Sequence, residues 1–144
     1  MTSLYEKDFY AWSLDQAEHL KKRKFDMIDY DHLIEEIETL TGSQQDSLRS
    51  YMKQIMIHLL KKEYQSERDC KSWDDSIDHG RSEAAYILKK NPSFKRFLPE
   101  FLPLAYKGAR VIAFKEIQNN VKFDIDVFPK ECPWTIEDVL GNNN

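Results

Sequence analysis

Apolar residues recur at helical spacing along nearly the whole chain, while the strict alternation of a strand is almost absent. Phe9, Trp12, Leu14, Ala17 and Leu20 share one face and predict a helix from about Glu6 to Lys22. The acidic stretch Asp26 to Asp31 then offers N-cap candidates for a second helix that turns Leu33, Ile34, Ile37 and Leu40 inward. The reading forks at Thr41-Gly42-Ser43. Ser43-x-x-Asp46 has the form of a capping box, with Gly42 at the C′ position before it, which favours a break. An unbroken helix through Gly42 costs only about 1 kcal/mol relative to alanine, so continuity stays open.

A third helix is predicted from about Gln44 to Gln65. Its central stripe is Leu48, Met52, Ile55 and Leu59, widened by Met56, Ile57 and Leu60, which suits the middle of a bundle. Ser72-x-x-Asp75 is a second capping-box candidate and opens a fourth helix that stops at Asn91-Pro92. Phe94, Phe97 and Leu98 form one apolar turn before Pro99. Pro103 is then placed in the first turn of a fifth helix, where a missing N–H does no harm, and Gly108 permits close helix contact. The segment from Phe123 to Leu140 is apolar enough to dock, with a last short helix opened by Thr135-x-x-Asp138 and ended by Gly141. The expected fold is all-α: a single-domain helical bundle of about five helices with a docked C-terminal tail. Residues 1–141 form the domain and 142–144 a disordered tail.

Composition narrows the function classes. A length of 144 residues fits one domain able to bury a core without staples. Cys70 and Cys132 form no disulfide framework or CxxC motif, which disfavours zinc and redox roles. The polar N-terminus lacks the apolar region of a signal peptide, and no stretch reaches the roughly 18 apolar residues of a membrane span. A cytoplasmic protein with reduced thiols is therefore expected. A net charge of −4 disfavours broad nucleic-acid binding. The clusters Lys21-Lys22-Arg23-Lys24 and Lys89-Lys90 fall where helices end, and cations there complement the helix dipole.

Candidate chemistry concentrates between Ile55 and Trp73. His58 lies at the edge of the apolar stripe, with Ile55 and Tyr51 on one side and Gln54, Lys61, Lys62 and Gln65 on the other. Partial burial there suits a general base oriented by Glu63, Glu67 or an acid of the second helix, with Lys61 or Arg68 stabilising an anion. The competing reading is a structural histidine bonded between helices. Tyr64, Gln65 and Trp73, with Glu35, Glu36 and Glu38, are the candidate partner- or ligand-binding residues. His32 with Glu35 or Glu36 has metal-ligand spacing on one helical face, yet the paired Glu-x-x-His motifs of di-iron bundles are missing. No metal or cofactor is assigned.

The blocks Leu4-Tyr5-x-x-Asp8-Phe9-Tyr10-x-Trp12, Leu33-Ile34-Glu35-Glu36-Ile37-Glu38, His58-Leu59-Leu60-Lys61, Tyr64-Gln65, Ser72-Trp73 and Phe128-Pro129-x-x-Cys132-Pro133-Trp134-Thr135 follow one another in this order. Together they resemble the bacterial domain of unknown function 29 family. The resemblance implies a compact, all-helical, free-standing bacterial protein without an assigned activity. This chain departs from the family pattern at Lys62, where an aromatic residue is common, and at Ser66, where proline is common. It also carries Asp74-Asp75-Ser76-Ile77-Asp78-His79-Gly80 where relatives are arginine-rich, and its His32 is outside the pattern.

The leading functional reading is a non-enzymatic protein-interaction or regulatory helical module. It rests on the lack of a strong catalytic motif, the mixed surface charge and the aromatics at segment ends. A hydrolase or nuclease-like enzyme using His58 is the second reading, and a metal-binding bundle the third. A protein partner is expected, homo-oligomerisation is open, and membrane association is not expected.

Overall fold

Short polar side chains set several helix starts. The Ser3 hydroxyl accepts the Glu6 amide ahead of α1 (Leu4–Lys7), and the Asp8 carboxylate accepts the Ala11 amide at 3.0 Å ahead of α2 (Phe9–Lys21). The predicted first helix is thus two helices, divided where Asp8 caps. Arg23 takes a left-handed conformation (φ 57°) after α2, and its guanidinium bonds the Leu20 carbonyl at 2.8 Å. A 3₁₀ turn (Phe25–Met27) leads to α3 (Tyr30–Tyr64), α4 (Lys71–Lys90), α5 (Leu98–Gln118) and α6 (Ile136–Leu140), with further 3₁₀ turns between them. The structure, a computed structural model, describes residues 2–118 and 124–141. No strand occurs among these residues, so the fold is all-α. Phe123 and the asparagines 142–144 lie outside them.

The favoured break at Gly42 does not occur, because α3 runs through it. A break would leave the terminal carbonyls and amides of two helices needing caps, which outweighs the roughly 1 kcal/mol of a mid-helix glycine. Asp46 pairs with Arg49 one turn on instead of closing a capping box. Ser72 does not cap α4 either. Cys70 is its N-cap residue, without a side-chain cap bond. Pro103 is the sixth residue of α5, not in its first turn, because the 3₁₀ turn Pro92–Phe97 runs straight into a helix that begins at Leu98. Pro103 is exposed, so the carbonyl four residues earlier that loses its amide can turn to water.

Packing divides the chain into two compact units, Met1–Ser43 and Gln44–Asn144. In the second unit Leu48, Met52, Ile55, Met56 and Leu60 of the predicted stripe are fully buried and Ile57 is buried with them; Leu59 alone of that stripe is only partly buried. Opposite this stripe, Ala105, Ala109 and Ala113 place small side chains one turn apart along α5. The close helix approach is at Gly80 of α4, where a Cβ would lie 2.7 Å from Ile55 Cγ1. At Gly108 the neighbour is the flexible Lys53 side chain.

The tail packs on this core through Phe128 and Val139, both fully buried. Tyr106 Oη donates to the Pro129 carbonyl at 2.6 Å, and Arg110 Nη2 to the Ile125 carbonyl at 3.1 Å. The predicted box at Thr135 is formed: the Thr135 hydroxyl accepts the Asp138 amide, and the Asp138 carboxylate accepts the Thr135 amide. Arg81 then bonds the Val139 and Asp138 carbonyls at 2.9 and 2.8 Å.

The first unit differs from expectation. Trp12, Gln16 and Ile28 are buried, but Phe9, Leu14, Leu20, Ile34, Ile37 and Leu40, expected to turn inward, are each 41% to 65% exposed. No helix among the described residues is long and apolar enough to cross a membrane.

Candidate functional site

The last turns of α3 hold most of the candidates from the sequence. Ring nitrogen Nδ1 of His58 lies 2.9 Å from the Gln54 carbonyl oxygen one turn back in its own helix. Lys61 pairs with Glu116 of α5, and its ammonium sits 6.0 Å from the centre of the Trp73 ring. Lys62 is held between Asp69 and Asp74, whose hydrogen bonds push its pKa up, that of Asp74 most. Glu67 and Arg68 stand exposed on the 3₁₀ turn Ser66–Arg68. Tyr64 packs edge-on against Phe128, ring centres 5.0 Å apart, and burial pushes its phenol up. Gln65 is buried.

Lys61 and Trp73 are therefore brought together, as are Tyr64 and the tail. Of the two cations proposed to stabilise an anion, Lys61 is occupied by Glu116 and Arg68 stands exposed on its turn, while His58 is bonded to the backbone. A hollow of about 280 Å³ is lined by Asp46, Arg49, Ser50, Lys53, Leu104, Ala105 and Gly108, and includes none of the candidates. Glu35, Glu36 and Glu38 belong to the other unit. Among the described residues no group of three or more His, Cys, Asp or Glu is arranged to hold a metal ion.

The first unit contains a polar network that sequence reasoning missed. Asp29 Oδ2 accepts from Trp12 Nε1 at 3.0 Å and lies 2.7 Å from His32 Nδ1. The Asp29 amide donates to Gln16 Oε1 at 2.7 Å. Tyr5 donates to Glu36 and stacks on the His32 ring at 3.9 Å. The hydrogen bond to Asp29 raises the His32 pKa above 6.5, and the same bond chiefly lowers that of Asp29 below 3.8. Its stabilisation is complete between those two values. It is lost as pH falls through the lowered Asp29 value and as pH rises through the raised His32 value. In an NMR titration the His32 ring should have a midpoint above 6.5, and Asp29→Asn should bring it down. An unchanged midpoint in the variant would remove Asp29 as the cause.

This network fixes α2 against the start of α3, and thereby sets which faces they leave free. On α2 the exposed apolar residues are Phe9, Tyr10, Leu14 and Leu20; on α3 they are Tyr30, Ile34, Ile37 and Leu40. At about 3.6 residues per turn, each set begins clockwise of the side that carries the Asp29 network, viewed from its own N-terminus. Because the two helices run antiparallel, equal rotations bring both sets to the same side of the hairpin. The signal in the sequence is two apolar stripes, which periodicity alone assigns to a core.

No curated protein and no solved structure matches the chain. The family described as domain of unknown function DUF29 matches residues 4–143, nearly the full length, and the chain belongs to that family.

Proposed function

We propose that this chain is a non-enzymatic protein-interaction module whose contact surface is the apolar face of residues 1–43. The observation that carries this reading is the distribution of exposed apolar side chains. Of the fifteen large ones exposed among the described residues, eleven lie between Leu4 and Leu40. Scattered single exposures are ordinary, but a contiguous face of this kind marks a surface that another molecule covers. The bond of His58 to its own helix and the pairing of Lys61 with Glu116 support a structural role for those residues.

The test is affinity capture from a lysate of the source organism with the wild-type chain, Ile37→Glu and His58→Ala, read by mass spectrometry. The same bound species should be retained by wild type and His58→Ala and lost from Ile37→Glu. Bound species indifferent to Ile37→Glu would sink the reading. So would a substrate turnover that His58→Ala abolishes in a folded protein.

A further inference from the structure

We infer that the occupant of this face is a second copy of the chain, paired antiparallel across a two-fold axis to make a four-helix bundle from two α2–α3 hairpins. This rests on the interaction reading above and names its partner.

Area is the first argument. The eight side chains of the common face are each 41% to 72% exposed. The three aromatic side chains have about 150–250 Å² each to bury and the five leucines and isoleucines about 100 Å² each, so at these exposures together they offer on the order of 600–700 Å². A stable interface takes about 800 Å² from each partner, whereas the largest apolar patch of an ordinary monomer is about 300–600 Å². The face thus exceeds an ordinary patch and supplies most of one side of a dimer. A two-fold contact needs a patch that complements itself, and an apolar face formed by two antiparallel helices is the repeating half of an antiparallel bundle.

Charge supplies the second argument and fixes the direction. Lys21, Arg23 and Lys24 gather at the end of the hairpin where α2 stops, beside Lys22, which is paired with Glu18 of α2, and ahead of Asp26. Glu35, Glu36 and Glu38 gather toward the opposite end, where Tyr5 reaches Glu36. A parallel copy would set like charges side by side. An antiparallel copy sets the basic end of each hairpin against the acidic end of the other, twice by symmetry.

Sedimentation velocity on the full chain at micromolar concentration tests the pairing. The expected mass is twice the 17.1 kDa of the chain, falling to one chain in Ile37→Glu with helicity unchanged. Ile37 is exposed, so this variant should fold. Lys21→Glu and Glu38→Lys should each weaken the dimer about tenfold, since two symmetry-related rim pairs become repulsive, and combining them should restore it. A monomeric wild type overturns the pairing, as does a dimer untouched by Ile37→Glu. Loss in both single reversals without recovery in the double overturns the antiparallel register. If the wild type is monomeric but Ile37→Glu still loses a captured partner, the self-pairing fails and the interaction reading stands; if it loses none, both fail.

Discussion

Phe128→Ala is expected to destabilise the unit Gln44–Asn144 by roughly 3–5 kcal/mol, the range for removing a fully buried aromatic side chain. The size of the effect follows from how little the surroundings can close over the hole. Tyr106 bonds the Pro129 carbonyl at 2.6 Å, and Arg110 bonds the Ile125 carbonyl at 3.1 Å, the Asp126 carboxylate at 3.1 Å and the Phe128 carbonyl at 3.5 Å. With its backbone pinned on both sides, the segment cannot sink into the space the ring leaves. Tyr64 would lose its edge-on contact as well. Equilibrium urea unfolding of wild type and variant measures the difference. A loss under about 1 kcal/mol would mean that the tail is peripheral to the core, and would contradict the complete burial of Phe128.

The tail also shows which parts of this protein could be read from its sequence. The Thr135–Asp138 box was legible because both of its hydrogen bonds close within four residues. The same four-residue pattern failed at Ser43 because α3 runs unbroken through it, and at Ser72 because the helix already starts at Lys71 after Cys70, which leaves Ser72 inside the first turn. Periodicity identified the apolar stripes of α2 and α3 correctly as stripes. It could not say what covers them, because Ile37 and Ile55 carry the same hydrophobic signal although one is 61% and the other 0% exposed. The site candidates were limited in a similar way. His58 was legible as an edge position, but its bond to the Gln54 carbonyl depends on a rotamer, and the Lys61–Glu116 pair joins residues far apart in the chain. Asp29 was legible as one of the N-cap candidates between Asp26 and Asp31, and it accepts the His32 amide at 3.4 Å, but its bond to Trp12 was not, because Trp12 lies on another helix.

Glycine makes the same distinction measurable, and Gly80→Leu is the second variant with a large expected effect. A Cβ at Gly80 would stand 2.7 Å from Ile55 Cγ1, 3.2 Å from Ile55 Cδ1 and 3.6 Å from the Tyr51 carbonyl oxygen. Cγ1 is the inner branch of a side chain with no exposed surface, so it cannot swing into solvent as the end of a lysine can. Replacing a mid-helix glycine by a good helix former favours α4 by about 1 kcal/mol, which sets the size of the opposing gain. Leucine adds three further carbons beyond the Cβ, against the packed face of α3, and overpacking of this kind exceeds that gain, leaving a net loss of about 2 kcal/mol. Gly42→Ala is the control. Nothing lies within 4 Å of a Cβ there, and Gly42 lies inside α3, so only the propensity gain remains and stability should rise by up to about 1 kcal/mol. Urea midpoints for both variants decide the matter. If Gly80→Leu is tolerated, α3 and α4 are not as close at this position as Ile55 and Gly80 place them. If Gly42→Ala destabilises, the helix is not continuous there. Two glycines that look alike in the sequence should thus move stability in opposite directions, because one faces a neighbouring helix and the other faces open space.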